Sequence, residues 1–122
     1  MGVTKRIACV PSKTESQILS EIRKAANDYP GLVLWRQSQG GAVSRNGQTY
    51  RAGLSVNGAS DLLGIYRSRF VAIEIKSAKG RVSDEQRLFL QLVRQHGGFA
   101  CVCRSVEEFH AAMERLERGE DR

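Results

Sequence analysis

A short apolar segment that carries two opposite charges limits what this chain can fold into. Residues Phe70 to Lys76, FVAIEIK, are mostly apolar and β-branched, which favours a β-strand. Side chains two residues apart on a strand share a face, so Glu74 and Lys76 project to one side, and Val71, Ile73 and Ile75 project to the other. The alternation predicts a strand with one face in a hydrophobic core and a charged pair on the opposite face.

A second segment upstream predicts a partner for this strand. Asp61 to Tyr66, DLLGIY, is also apolar, and Arg67-Ser68-Arg69 between the two segments has the length of a hairpin turn. In an antiparallel pair Asp61 can approach Glu74. Two carboxylates that close repel each other unless a cation lies between them, and Mg²⁺ prefers such oxygen ligands. The hairpin therefore predicts a candidate site for a divalent cation.

Two other interpretations of the charged pair remain open at the level of sequence. Glu74 and Lys76 could form an exposed cross-strand ion pair, because one face of a sheet is often in contact with water. Alternatively, the charges could belong to a structural salt-bridge patch in an interaction domain. Each alternative predicts side chains without a chemical function.

The rest of the chain predicts three helices and two further strands. Ser12 with Glu15 forms a candidate capping box before a helix from about Lys13 to Asp28, and Ser83 with Gln86 forms a second one before a helix to about His96. We expect the buried stripe of that second helix to contain Leu88, Phe89, Leu92 and Val93. The segments 32–36 and 99–103 predict strands, and Ser105 with Glu108 predicts a closing helix with apolar Phe109, Ala112, Met113 and Leu116.

This order predicts a single α/β domain with a mixed sheet over residues 1–122. It consists of a helix, three strands with a possible extra hairpin in the glycine-rich segment 37–58, a helix, a strand and a helix. We expect residues 1–11 to form an irregular arm and residues 117–122 a frayed tail.

Charge and cysteine content favour some partners and compartments over others. Nineteen Lys and Arg against thirteen Asp and Glu give a net charge of +6, which favours a polyanionic partner such as nucleic acid. Three cysteines, at positions 9, 101 and 103, predict neither a disulfide framework nor a structural zinc site. No segment has the ~20 apolar residues of a membrane span. We therefore expect a reduced, cytoplasmic protein without a membrane anchor.

The motifs around the hairpin resemble those of a known nuclease family. Asp61-Leu62-Leu63-Gly64, the Glu74-Ile75-Lys76 triplet and the following GRVSDEQ, residues 80–86, resemble the PD-(D/E)XK nucleases, and in particular their virus-type replication-repair nuclease (VRR-NUC) branch, in its stand-alone phage and bacterial form. The resemblance covers roughly residues 14–109. Ser60 stands where the superfamily has proline. The predicted order of elements matches the restriction-endonuclease-like αβββαβ core, here with a C-terminal helix.

The resemblance implies a role for each residue of the candidate site. Asp61, Glu74 and the main-chain carbonyl of Ile75 would bind Mg²⁺ or Mn²⁺, with Lys76 near the same ion. Glu15 matches an acidic residue that the first helix of the family often supplies to the metal, although it could instead only close its capping box. Likewise, Gln86 could contact the site or could only cap its helix.

Nucleic-acid binding is assigned to basic and polar residues on both sides of the hairpin. Arg36, Ser38 and Gly40 resemble the family pattern W-R-x-x-x-G, which places the glycine-rich segment at the rim of a nucleic-acid groove. Arg45 and Arg51 of that segment, together with Lys79 and Arg81 after the strand, would hold phosphates.

The resemblance thus implies a metal-dependent, structure-selective DNA endonuclease in the cytoplasm of a bacterial or phage-infected cell. The resemblance further implies a homodimer that acts on branched DNA such as four-way Holliday junctions, with no small-molecule cofactor besides the metal. Phe99, Phe109, Met113 and Leu116 could contribute to the dimer interface, or could serve the core alone. The alternative function is a nucleic-acid-binding module that keeps the nuclease fold without catalysis.

Overall fold

The computed structural model describes residues 12–37, 41–43, 49–51 and 58–119, the two short segments by their backbone only. The helices are α1 (Glu15–Ala25), followed by a single 3₁₀ turn (Ala26–Asp28), α2 (Asp84–Gln95) and α3 (Val106–Glu117). The strands are β1 (Val33–Arg36), β2 (Gly41–Val43), β3 (Thr49–Arg51), β4 (Leu62–Tyr66), β5 (Arg69–Ile75) and β6 (Phe99–Cys103). This arrangement confirms the predicted α/β fold with a mixed sheet and a C-terminal helix.

A four-stranded sheet in the order β1-β4-β5-β6 forms the centre of the described structure. β4 is antiparallel to both β1 and β5, whereas β5 and β6 are parallel and are connected through α2. The predicted β4–β5 hairpin is confirmed. Its turn consists of Arg67 and Ser68, whose φ angles of 51° and 68° are the positive values that a tight type I′ turn requires. The extra hairpin is also present, as the antiparallel pair β2–β3.

Helices cover both faces of the sheet, so β5 is buried on both sides. On one face, Val71, Ile73 and Ile75 belong to a core with the buried side chains of α1 and α3. On the other face, Ala72 packs in a second core with Leu63, Ala100 and the α2 residues Phe89, Leu90 and Val93. Glu74 alternates onto the α2 face, so it lies beneath a helix rather than toward open water.

The N-terminus of α1 differs from the prediction. Thr14 is the N-cap: its hydroxyl accepts from the Gln17 amide at 3.2 Å, and Gln17 Oε1 accepts from the Thr14 amide at 2.9 Å. The predicted Ser12–Glu15 box and the start at Lys13 are therefore wrong, and Glu15 is the first residue of the helix. Its carboxylate is not used by the capping box.

The buried stripe of α2 is only partly as predicted. Phe89 and Val93 are buried, but Leu88 and Leu92 are 63% and 44% exposed, and Leu90 is buried in their place. α2 rests on β5 and β6, and the flank with Leu88 and Leu92 is turned away from them. The Ser83–Gln86 capping box is confirmed, and Gly97, with a φ of 85°, follows the end of the helix.

Of the two roles considered for the apolar residues at the C-terminal end, the structure supports the one in the core. These four side chains are at most 5% exposed and lie inside the core, so they serve an intramolecular role: Phe99, Phe109, Met113 and Leu116. Glu117, expected at the start of the frayed tail, is the last residue of α3 and accepts a hydrogen bond from the Tyr66 hydroxyl at 2.9 Å.

Residues 1–11, expected to form an irregular arm, lie outside the described part of the chain. None of the helices described is both long and apolar enough to cross a membrane.

Candidate nuclease site at the end of the central hairpin

Glu74 is the most unusual side chain of the structure because it is acidic and only 2% exposed. Its Oε2 accepts a hydrogen bond from Gln86 Nε2 at 2.9 Å and lies 3.6 Å from Lys76 Nζ. Its Oε1 is buried without a hydrogen-bond partner among the described residues. The exposed ion pair considered from sequence is therefore wrong for Glu74, which is a buried carboxyl with one oxygen unsatisfied.

Burial and a second carboxylate change the acidity of Glu74. Loss of water is the main reason that its pKa rises from 4.5 to about 8, and Asp61 raises the pKa further, by repulsion and, once Glu74 is protonated, by a hydrogen bond between the two carboxyls. The ammonium of Lys76 opposes both effects and lowers the pKa, but does not cancel them. A proton or a metal cation is thus needed at this position near neutral pH.

Asp61 lies where β4 begins, next to Glu74 across the hairpin. Its Oδ2 accepts from the amide of Ile75 at 2.9 Å, and its main-chain carbonyl accepts from the amide of Gln37 at 2.8 Å. The Asp61 side chain thereby continues the β4–β5 pairing one step before the first residue of β4, which fixes the carboxylate at the end of β5. The predicted approach of Asp61 to Glu74 follows from this register.

A small pocket joins Asp61 to the first helix. It has a volume of about 120 Å³ and is lined by Ser16, Leu19 and four residues assigned to the site from sequence, namely Glu15, Arg36, Asp61 and Ile75. Arg36, at the end of β1, is exposed and brings a cation to the mouth of the acidic site. The fold thus collects site residues from α1, β1, β4 and β5.

Glu15 shares this pocket but does not complete a cluster of three ligands. Within the described ranges, no three His, Cys, Asp or Glu side chains lie close enough to hold one metal ion together. Asp61 and Glu74 nevertheless suit a hard cation, since one supplies an anchored carboxylate and the other supplies a buried, unsatisfied oxygen. Mg²⁺ usually keeps several waters and needs only one or two protein carboxylates, so the residues present fit such an ion.

Gln86 fills both of the roles considered for it. Its Oε1 accepts from the Ser83 amide at 2.9 Å, which closes the capping box, while its Nε2 donates to Glu74. One amide therefore connects the N-terminus of α2 to the buried carboxyl on β5.

The loop after β5 contains the remaining basic candidates. Lys79 and Arg81 are exposed in this loop. Gly80 lies between the loop and the site: a Cβ added there would be 3.2 Å from Glu15 Oε2 and 3.4 Å from Lys76 Cδ. Of the other predicted nucleic-acid contacts, Ser38 and Arg45 lie outside the described residues, and only the backbone of Arg51 is described, in β3.

Sequence reasoning missed Arg104, which follows the last residue of β6. Its Nη1 donates to the main-chain carbonyls of Ser77 and Gly80, both at 2.7 Å. The sequence predicts both strands, and a parallel pairing of β5 with β6 brings the residues that follow them, Lys76 and Arg104, to the same edge of the sheet. That pairing was the signal that could have indicated Arg104.

The architecture and the site together define a class of protein. An α/β core that holds two neighbouring carboxyls and a lysine at the end of a central hairpin is a nuclease-like core. The family model of the VRR-NUC domain matches residues 3–107. The chain therefore belongs to the VRR-NUC family, and it is a nuclease-type domain with DNA as the implied substrate. A search of curated proteins finds no match.

Proposed function

We propose that this protein is a Mg²⁺- or Mn²⁺-dependent endonuclease that hydrolyses phosphodiester bonds of branched DNA. The observation that carries the proposal is the buried Glu74, whose Oε1 lacks a partner while Asp61 and Lys76 lie beside it. A carboxyl that is kept unsatisfied in a low-dielectric position costs stability, and such strained polar groups concentrate at functional sites.

Asp61 and Glu74 are the residues that would hold the metal, together with the carbonyl of Ile75. A bound divalent cation lowers the pKa of its water and neutralises charge on the phosphate. Glu15 is a weaker candidate ligand. It lines the same pocket as Asp61, and its carboxylate would add negative charge beside the bound cation.

The other side chains of the site have roles that follow from their contacts. Lys76, 3.6 Å from Glu74 Oε2 and largely buried, supplies a fixed positive charge for the phosphate or the attacking water. Gln86 holds Oε2 of Glu74 through its amide, which leaves Oε1 free for another partner. Arg36, Lys79 and Arg81 are exposed cations around this centre and would contact phosphates of the DNA backbone.

The proposed homodimer is supported by exposed apolar side chains among the described residues. Six large apolar side chains are exposed by 36–63%: Val33, Trp35, Ile65, Phe70, Leu88 and Leu92. Val33, Ile65 and Phe70 form one row across β1, β4 and β5, on the sheet face that α2 covers only in part. Patches of this kind on a small domain are commonly interaction sites.

A dimer would also suit a branched substrate. A C₂ pair presents two identical sites related by a two-fold axis, which matches two strands of a four-way junction. Such a substrate arises in the cytoplasm of a bacterial or phage-infected cell, where we expect the protein to act.

Cleavage assays on a panel of labelled DNAs test the proposal. Linear duplex, flap and four-way junction substrates are incubated with Mg²⁺, Mn²⁺, Ca²⁺ or EDTA, using the wild-type protein and Glu74→Gln as the matched control. We expect cleavage with Mg²⁺ or Mn²⁺, fastest on the junction, binding with poor turnover in Ca²⁺, and none with EDTA. Full activity in excess EDTA would contradict the metal mechanism.

The same panel separates the enzyme from a non-catalytic binding module. The binding module predicts that wild-type protein binds DNA with the same affinity as Glu74→Gln and cuts nothing under any metal condition. The enzyme predicts that only the wild-type protein yields products.

A further inference from the structure

The loop between the end of β5 and α2 is connected to the candidate site on its inner side. Gly80 lies so close to Glu15 Oε2 and to the stem of Lys76 that a Cβ there would be within 3.4 Å of both. The loop closes on itself through a hydrogen bond from the Gly80 amide to the Ser77 carbonyl at 3.1 Å. Any displacement of the loop therefore moves the surroundings of both Glu15 and Lys76.

The Arg104 side chain contacts main-chain atoms of the same loop. A single nitrogen, Nη1, donates to the carbonyls of Ser77 and Gly80 at 2.7 Å each, so one cation binds both ends of the turn. The main-chain carbonyl of the neighbouring Cys103 accepts from the Lys76 amide at 3.1 Å. Residues 103 and 104 thus attach both Lys76 and the loop that follows it to the end of β6.

The position of Arg104 is itself fixed. Its amide donates to Glu108 Oε1 at 2.7 Å, and the next residue, Ser105, is the N-cap of α3. The side chain is partly buried beside a cleft of about 460 Å³ that Val82, Glu108 and Arg115 also line. A planar guanidinium in a fixed place can hold two carbonyls, which a flexible surface cation cannot do as well.

We propose that Arg104 is a positioning residue that holds the Ser77–Gly80 loop against the candidate site and so sets the location of the Lys76 ammonium. The consequence for rate rests on the proposed function, whereas the restraint on the loop does not. Arg104 contacts main-chain carbonyls of the loop and acts through that loop.

The first measurement is hydrogen exchange of the peptide that spans residues 76–82, which needs no activity. In Arg104→Ala we expect exchange of the Lys76 and Gly80 amides to rise by about 10-fold or more, because the loop opens locally. Arg94→Ala is the matched control, since Arg94 also donates from Nη2 to a main-chain carbonyl, that of Ala100, at 2.9 Å. It should leave this peptide unchanged. Equal exchange in Arg104→Ala and wild-type protein would overturn the proposal.

The second measurement separates positioning from DNA binding. Misplacement of a catalytic group by about 1 Å can cost ~100-fold in rate, so kcat of Arg104→Ala should fall by about 10- to 100-fold. The Kd for DNA in Ca²⁺ should change by less than about 3-fold, because Lys79 and Arg81 remain exposed cations on the opened loop and can still reach phosphates. Guanidinium ion at a non-denaturing concentration can enter the adjoining cleft and should restore part of the rate to Arg104→Ala but none to Lys76→Ala.

The outcomes remain informative if one variant or the proposed function fails. Arg104→Lys keeps the charge without the planar group and should show intermediate exchange and an intermediate kcat; it replaces Arg104→Ala if that variant does not fold. Faster exchange with an unchanged kcat would refute a positioning role. If wild-type protein cuts no DNA, the proposed function fails and the exchange result alone decides whether Arg104 holds the loop.

Discussion

Replacing Glu74 with Gln should make the protein more stable, and increasingly so as the pH rises. Glu74 has a folded-state pKa of about 8, above its ordinary value of 4.5, mainly because it is buried and also because Asp61 is near. A carboxyl with a raised folded pKa contributes its full stability below pH 4.5 and loses that contribution as the pH rises toward 8. Glutamine is isosteric and does not ionise, so it does not lose stability in this way.

The size of the effect follows from the pKa difference. Linkage between pKa values of 4.5 and about 8 removes up to about 3–4 kcal/mol of stability from the wild-type protein between pH 5 and pH 8. We therefore expect the free energy of unfolding of Glu74→Gln, relative to wild type, to increase by up to this amount over the same range. For a domain of this size the difference corresponds to roughly 10–20 °C in Tm at pH 8.

Urea unfolding followed by far-UV circular dichroism at pH 5, 6, 7 and 8, in metal-free buffer with EDTA, measures this difference directly. Adding Mg²⁺ or Mn²⁺ at pH 8 should then stabilise the wild-type protein more than Glu74→Gln, because a bound cation replaces the proton. A stability difference that stays constant from pH 5 to pH 8 would refute the reasoning, since it would show that Glu74 ionises in the fold as easily as in the unfolded chain.

Three further predictions concern the remaining contacts of the site and the apolar surface. Asp61→Asn and Lys76→Ala should each reduce cleavage by ~100-fold or more while the melting temperature is retained; a wild-type rate for Lys76→Ala in the junction assay would exclude its role. Glu15→Gln should lower the rate without loss of stability, whereas Thr14→Ala should cost ~1 kcal/mol of stability with little change in rate, because the cap is at Thr14. Leu92→Glu should shift the mass measured by light scattering from dimer to monomer, with Gln91→Glu as the control on the same helix; a monomeric wild-type protein, alone and on a junction, would remove the dimer.

The central hairpin could be predicted from sequence because its signals are local and agree with one another. Two apolar segments separated by a short turn determine an antiparallel pair, and the pleat then places Glu74 and Lys76 on one face. What could not be predicted is that this face is covered. Burial of Glu74 depends on α2, which reaches the sheet only through the parallel connection to β6.

The errors arose where the sequence allows two local solutions. Ser12-x-x-Glu15 and Thr14-x-x-Gln17 are overlapping capping boxes, and the apolar stripe does not distinguish them because Ile18 and Ile22 share one helix face with either start. α2 has apolar residues at 88, 89, 90, 92 and 93, which is more than one face of a helix can bury. Only the position of the sheet decides which of them are covered.

The buried carboxyl of Glu74 and the N-terminal cap of α2 are connected through one side chain, that of Gln86. Gln86 donates to Glu74 with the same amide that closes the Ser83 box, so the start of α2 and the orientation of Glu74 are set together. An amide at this position can satisfy only Oε2, and the structure leaves Oε1 without a partner among the described residues. If Glu74 served stability alone, a second donor or an apolar replacement would remove this cost. The close, buried pair of Glu74 and Asp61 carboxyls therefore needs a proton or a cation at this site near neutral pH.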